Sequence, residues 1–368
     1  MTGSRHLVVT VNNALDLIEG YHGEVFTRDK FFVVRTSNFD IGSYKIPEAT
    51  YETKICLMHS AFGRVVESDL SKFDLVIIVD DELLNEDTDP FLKKIANKLN
   101  NDKIIMITSG YCRNLELDRN RVYIYPFFLL NIPRHNESKN INSLVHHQKT
   151  FDVLLGMSKP HRKFIFDNIE SSGLIDQCYV NLTSNRFLDE SLYTIYRTPG
   201  LTNLETDESI KRQSPDVYDS YVHQPDEPRV SQYIPWEIYK NSLYSIVAET
   251  NYDNYYFFTE KTAKCLFARR LFVFFGSQGQ LKDLREMGFM TFDSVIDESY
   301  DNISDNTERY SQAFQQVVSL SKSNHREIYQ SCEKIWDHNQ QHLSNRSFFI
   351  DPLKLWLKNY IPDITITA

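Results

Sequence analysis

A continuous run of apolar, largely β-branched residues within Phe73–Asp80 limits the choice of fold more than any other segment. Such a run, bounded by charge, is typical of a strand buried on both faces of a parallel sheet. Pro90–Leu99 follows with apolar residues at helical spacing, Asp89 as an N-cap and a proline at the first helical position. Lys103–Thr108, ended by a Ser-Gly pair, and Arg121–Tyr125 are the next strand candidates. This alternation of strand and helix predicts a doubly wound α/β domain.

A second alternation of the same kind begins near residue 151. The chain then ends in a mostly helical segment, Arg309–Tyr360, with a break near Ser321–Asn324. Two early strand candidates, His6–Val11 and Phe31–Arg35, belong to the first alternation. The predicted elements of the second are the strands Phe151–Leu155, Cys178–Leu182, Ser242–Glu249 and Leu271–Phe275, and the helices Lys163–Glu170, Thr259–Arg270 and Leu281–Met287.

A polar stretch rich in Asn and His, residues 136–150, separates the two alternations and predicts an interdomain linker. We therefore expect an N-terminal Rossmann-like domain over 1–135 and a C-terminal one over 151–340, with a helix or tail over 341–368. The irregular stretch Thr198–Pro235, which contains five prolines, predicts a functional or mobile loop. Because two α/β domains serve many functions, the function has to be sought in a site.

Charge and cysteine content narrow the functional classes. The formal net charge of −10 disfavours broad nucleic-acid binding, although a local basic cleft can coexist with an acidic exterior. Five scattered cysteines without a CxxC pair support neither a zinc site nor a disulfide framework. The N-terminus, Met1–Leu17, lacks the apolar core of a signal peptide, and no apolar run is long enough to span a bilayer. We expect a cytoplasmic protein of bacterial or viral type, with no membrane span.

The segment Ser245–Thr262 carries the clearest chemistry. A predicted strand ends at Glu249, an aromatic loop follows, and Thr259 offers an N-cap for a helix whose first turn contains Glu260 and Lys261. A helix N-terminus presents backbone N–H groups and partial positive charge, which suits phosphate. A lysine is unfavourable in a first turn unless an anion lies between it and the helix. Glu260 could hold ribose hydroxyls, and Glu249 points toward the crevice where α/β sheets bind ligands.

Taken together, this segment resembles the core motif of the family 10 α-1,3-fucosyltransferases. The similarity lies in Glu249-Thr-Asn251, the tyrosine-rich loop that contains Tyr255, Thr259-Glu260-Lys261, and Phe275-Gly276-Ser277. The resemblance implies a GT-B fold of two Rossmann-like domains, ribose binding by Glu260, phosphate binding by Lys261 and a donor-sugar contact by Glu249. Asn251, Tyr255 and Thr259 complete the implied donor-binding set. Thr250 departs from the family, which usually has Asn after the glutamate.

Pro160-His161-Arg162 at the start of a predicted helix matches the same family, whose arginine at this place pairs with the donor pyrophosphate. A guanidinium is well suited to bidentate phosphate binding. The resemblance implies a nucleotide-sugar donor, with a GDP-sugar favoured and a UDP-sugar as the alternative, and a glycan acceptor. It also implies inverting transfer without a bound metal or cofactor. Tyr300 is a candidate nucleobase neighbour within a segment otherwise interpreted as structural.

An inverting transfer needs a general base, which we expect in the N-terminal domain. Asp80, Asp81 and Glu82 follow the best-defined strand, and Asp81 is our candidate, although all three could instead cap the following turn. The triplet Asp87-Thr-Asp89 matches the metal–nucleotide motif of the other large transferase fold, but an exposed loop before a helix explains it better. Two other functions stay open: a viral glycosyltransferase acting on modified DNA bases, and a non-catalytic nucleotide- or glycan-binding protein. The sequence does not indicate an oligomeric state.

Overall fold

A computed structural model describes residues 25–28, 31–36, 53–59, 74–84, 104–135, 147–184, 194–199, 201 and 234–360. The chain divides into two compact units, Met1–Phe127 with Arg346–Ala368 (unit 1) and Phe128–Asn345 (unit 2). Four predicted features lie outside the described residues: the strand His6–Val11, the helix Pro90–Leu99, the Asp87-Thr-Asp89 triplet and most of the linker.

Unit 1 is built on a mainly parallel sheet. The strands are β1 (Val25–Arg28), β2 (Phe31–Thr36), β3 (Thr53–His59), β4 (Leu75–Leu84), β5 (Ile104–Cys112) and β6 (Val122–Ile124). They lie in chain order, and every neighbouring pair is parallel except β1 with β2. Consecutive residues Leu75–Val79 are all buried, which confirms the strand covered on both faces.

Strand β5 continues past the Ser-Gly pair that was expected to end it, so that prediction was wrong. Gly110 and Tyr111 pair with Leu83 and Leu84 of β4, beyond a register shift in β4 between Asp80 and Leu83. The neighbouring strand supplies the backbone hydrogen-bond partners, and this outweighs the local preference of glycine for turns. Asp81 therefore lies within β4 at the register shift and does not follow the strand.

The last helix, α8 (Arg346–Lys358), belongs to unit 1. Its buried residues are Phe349, Ile350, Leu353 and Leu357. Trp356 packs on Tyr123 of β6, with 5.4 Å between the ring centroids. The C-terminal end of the chain thus contributes to the same unit as its N-terminal part.

Unit 2 has a five-stranded sheet in the order β12-β10-β7-β8-β9. Its strands are β7 (Lys149–Met157), β8 (Cys178–Thr183), β9 (Thr194–Arg197), β10 (Ser242–Ala248) and β12 (Phe272–Phe275), and a two-residue strand β11 (Tyr255–Tyr256) lies in the loop after β10. All neighbours are parallel except the edge strand β9. The helices are α1 (Phe127–His135), α2 (Pro160–Ser171), α3 (Trp236–Asn241), α4 (Glu260–Phe267), α5 (Gln280–Glu286), α6 (Asn306–Leu320) and α7 (His325–Ser344).

These two sheets and the helical C-terminal segment belong to the α/β class predicted from the sequence, in two compact units. The break between α6 and α7 falls at residues 321–324, as expected. Trp236, the first residue of α3, is 3% exposed and packs in the core. The sequence did not predict the strands β1, β3, β9 and β11 or the helices α1 and α3.

A buried ion pair holds the centre of unit 2. The guanidinium of Arg270 donates to Asp152 at 2.5 Å, and neither side chain is more than 4% exposed. Ser242 and Ser245 donate to the same carboxylate, and Arg270 also donates to the carbonyl oxygens of Tyr239 and Ser242. Because both charges are paired and hydrogen-bonded, the network can be kept inside an apolar core and fixes β7 against β10.

Candidate functional site

The loops that follow β7, β10 and β12 meet at one edge of the unit 2 sheet. These three strands are parallel neighbours, so their carboxyl ends lie side by side. In open α/β sheets, this edge is where ligands bind. The sequence-predicted residues Arg162, Glu249, Glu260 and Lys261 all come from these loops or from the helices that begin there.

Thr259 caps helix α4 as predicted, and its hydroxyl oxygen accepts from the backbone N–H of Lys261 at 3.4 Å. The same hydroxyl donates to Glu249 Oε2 at 2.5 Å. The backbone N–H of Thr259 and the hydroxyl of Thr262 donate to Glu249 Oε1, at 3.2 and 2.5 Å. A carboxylate from the end of β10 therefore already occupies the start of the helix.

Glu249 has no oxygen left for a sugar. Its side chain is completely buried, and Oε2 also accepts from the backbone N–H of Thr250 at 3.2 Å. The carboxylate joins β10 to α4 and satisfies donors that a helix start leaves unpaired. We assign it this structural role in place of the donor-sugar contact expected from the sequence, because burial could not be read from its position at a strand end.

Glu260 and Lys261, in the first turn of α4, form a partly exposed ion pair. Their Oε1–Nζ distance is 2.7 Å, and the side chains are 16% and 22% exposed. Burial acts to raise the pKa of Glu260, but Lys261, Lys264 and hydrogen bonds lower it to about 2, so the carboxylate is ionised near neutral pH. The ammonium group of Lys261 also donates to the hydroxyl of Thr250 at 3.1 Å.

Arg162 lies beside the same two residues, but it faces inward. It is 3% exposed, and Nη1 donates to the carbonyl of Met157 at 2.9 Å. Nη2 donates to the carbonyls of Ala248 and Glu249 at 3.4 and 3.3 Å. Burial lowers the pKa of Arg162 from its ordinary value, with Glu260 and Glu249 acting in the opposite direction. Arg162 and Lys261 thus contact the adjacent residues Glu249 and Thr250, and the Arg162 guanidinium joins the ends of β7 and β10.

Two residues of this edge were not singled out from the sequence. Lys159, the N-cap residue of α2, donates from Nζ to the carbonyl of Thr250 at 2.5 Å. His161 contacts the carbonyl of Glu249 through Nε2 at 2.8 Å and stacks on Tyr252, with ring centroids 4.4 Å apart. A cation at a helix start is unfavourable on its own, so the signal that marked Lys261 was also present at Lys159.

The pKa of His161 depends on its burial and on the positive charges near it. Burial, followed by the charge of Arg162, lowers the pKa of His161 to about 3, and Lys159 and Lys261 contribute in the same direction. The ring is therefore neutral near pH 7, and Nε2–H donates to the Glu249 carbonyl. The charges of three cationic side chains thus act on this ring, in a chain whose net charge is −10.

The aromatic loop after β10 is fixed to the loop after β12. The N–H of Tyr255 donates to the hydroxyl of Ser277 at 2.9 Å. Gln280 accepts from the N–H of Ser277 and donates to the carbonyl of Phe257, at 2.5 and 2.7 Å. A Cβ at Gly276 would collide with Gln280 and Phe274, which explains the glycine. Tyr255 and Asn251 of this loop are both half-buried.

Arg309 of α6 supports the same two loops from the interior. It is 2% exposed and donates to the carbonyls of Gly276 at 3.1 Å and Tyr252 at 3.3 Å. Tyr300 is also interior: it is 2% exposed, and its hydroxyl accepts from the N–H of Phe274 at 3.3 Å. This agrees with the structural interpretation of Tyr300 and corrects the suggestion that it neighbours a nucleobase.

Among the described residues, no three His, Cys, Asp or Glu side chains are grouped so that they could hold a metal ion. No helix in the described part of the chain has the length and apolarity needed to cross a bilayer. The side chain of Asp81 lies outside the described set, so only its backbone position is known.

No protein-family model matches the sequence, and no curated protein matches it. Among solved structures, the chain is similar to one described as "Crystal Structure of alpha1,3-Fucosyltransferase with GDP", with 11% sequence identity and a TM-score of 0.30. The match covers 88% of this chain and 81% of that chain. At that TM-score the likeness supports neither fold nor function, and the site rests on its own geometry.

Proposed function

We propose that unit 2 binds the diphosphate of a nucleotide sugar at the carboxyl edge of its sheet, and that the protein transfers the sugar to a hydroxyl of a glycan acceptor. The observation that carries this proposal is that Arg162 and Lys261 contact the adjacent residues Glu249 and Thr250 in a protein of net charge −10. Cations gathered against the general charge of a protein favour an anionic ligand. A GDP-sugar is the favoured donor and a UDP-sugar the alternative.

The partly exposed pair supplies the two contacts that such a donor needs. Lys261 can exchange its contact with Thr250 for a phosphate oxygen, and the ionised carboxylate of Glu260 can accept hydrogen bonds from ribose hydroxyls. Fixed cations stabilise the charge that develops on the leaving diphosphate as the glycosidic bond breaks. With this charge stabilisation from side chains, we expect inverting transfer without a metal, in a cytoplasmic enzyme.

The base that takes the proton of the acceptor hydroxyl is assigned to Asp81. It lies at the register shift of β4, and such irregularities are over-represented next to active sites. An Asp81→Asn variant is expected to keep donor affinity and lose transfer, because the amide cannot accept the proton.

Isothermal titration with GDP, UDP and their sugars tests the donor site. We expect Lys261→Ala to weaken binding by about 1.5–3 kcal/mol, which is about 10- to 150-fold. Lys163→Ala is the matched control, because Lys163 is an exposed lysine of α2 paired with Asp167 outside the crevice. Equal affinities of wild type and Lys261→Ala for every nucleotide would refute the site.

A second candidate, a binding protein without turnover, is favoured by the burial of Glu249, which removes one carboxylate from the crevice. Slow hydrolysis of a radiolabelled donor by wild type, lost in Lys261→Ala, supports the transferase. Tight donor binding with no hydrolysis and no transfer to any glycan supports the binding protein.

A further inference from the structure

Resting on the proposed function, we infer that Lys159 is the second residue that contacts the donor diphosphate directly, opposite Lys261. Arg162, in this assignment, fixes the loops and contributes its charge from the interior. Three observations at the carboxyl edge of the unit 2 sheet carry the inference.

The first observation is that the Arg162 guanidinium is already hydrogen-bonded to the backbone. Its two terminal nitrogens donate to three backbone carbonyls at the ends of β7 and β10. Its Nε atom has no hydrogen-bond partner, but the side chain is buried, with 3% of its surface exposed, so a phosphate could reach the guanidinium only if the surrounding contacts broke. Losing them would leave buried carbonyl groups without their donors, which costs free energy that a single new contact would have to offset.

The second observation is that side chains of the protein already accept from two N–H groups at the start of α4. Glu249 accepts from the N–H of Thr259, and the Thr259 hydroxyl accepts from the N–H of Lys261. The carboxylates of Glu249 and Glu260 therefore offset part of the positive charge at this end of the helix, and side-chain cations supply much of the attraction for phosphate.

The third observation is that two ammonium groups meet on one residue. Lys159 donates to the carbonyl of Thr250 at 2.5 Å, and Lys261 donates to the hydroxyl of Thr250 at 3.1 Å. Lys159 precedes α2 and Lys261 lies in the first turn of α4, 102 positions further along the chain, yet both ammonium groups lie beside Thr250. A diphosphate bound beside Thr250 has oxygens enough to contact both.

Lys159→Gln is the sharpest test, because the amide can still donate to the Thr250 carbonyl while the charge is lost. Binding of GDP, inorganic pyrophosphate and guanosine is measured by titration for wild type, Lys159→Gln, Lys159→Arg and the control Lys163→Gln. We expect Lys159→Gln to lose about 10- to 100-fold in affinity for GDP and pyrophosphate. Guanosine binding should not change, and Lys159→Arg should retain most of the affinity because it keeps the charge.

The outcomes separate this inference from the proposed function. If wild type binds GDP and Lys261→Ala weakens it, but Lys159→Gln binds as wild type, Lys159 only holds the Thr250 carbonyl and the inference fails alone. If wild type binds neither a nucleoside diphosphate nor pyrophosphate, both fail. Thermal melting of each apo variant within about 2 °C of wild type, a shift below 1 kcal/mol, excludes unfolding as the cause.

Discussion

Replacing Glu249 distinguishes a structural carboxylate from a ligand contact. Its two oxygens accept four hydrogen bonds, two of them at 2.5 Å, within a fully buried site. Alanine would leave the N–H of Thr259 and the hydroxyl of Thr262 buried and unpaired, at about 1–3 kcal/mol for each such group. Since a hydroxyl can rotate toward another acceptor, we expect Glu249→Ala to lower the free energy of unfolding by about 3–5 kcal/mol.

For a unit of this size, that loss corresponds to a fall in Tm of about 6–20 °C, without any ligand present. Glu249→Gln should fall between Ala and wild type, because the amide keeps one acceptor oxygen but turns a donor toward the N–H of Thr250. Differential scanning calorimetry of the apo protein measures both, with Glu286→Gln as the control, an exposed glutamate of α5. An apo Tm equal to wild type, together with lost donor affinity, would refute the structural role and restore the sugar contact.

Two further predictions concern the stability of unit 2. Arg270→Met should cost about 3–5 kcal/mol in urea denaturation by leaving Asp152 charged and unpaired in the core, while the folded fraction keeps wild-type affinity for GDP; a variant as stable as wild type would contradict it. Burial raises the pKa of Glu298 to about 7, with its hydrogen bonds and Arg285 opposing. Its stabilising contribution is therefore complete below pH 4.5 and lost as pH rises through 7, by up to about 3 kcal/mol. The free energy of unfolding, measured with denaturant at pH 5 and at pH 8, should differ less between the two pH values for Glu298→Gln than for wild type. An equal difference in the two proteins would contradict this role of Glu298.

Periodicity and helix caps were enough to find most of the described elements. The buried run in β4, the Thr259 cap of α4 and the break between α6 and α7 were predicted, because each depends on residues close together in the chain. Strands β1, β3, β9 and β11 were missed, since a strand depends on its pairing with other segments as well as on its own residues. The same cause extended β5 past Gly110.

The sequence by itself determined the two α/β units, the strand–loop–helix from Ser242 to Phe267 and the presence of Glu260 and Lys261 at a helix start. Only the tertiary structure decided which charged side chains are paired inside the protein and which lie at the candidate site. Glu249 and Arg162 point inward, whereas Lys159 and Lys261 meet on Thr250. The reason is that the partners of a side chain come from distant parts of the chain. The identity of a residue gives its charge, but its burial depends on how the chain folds around it.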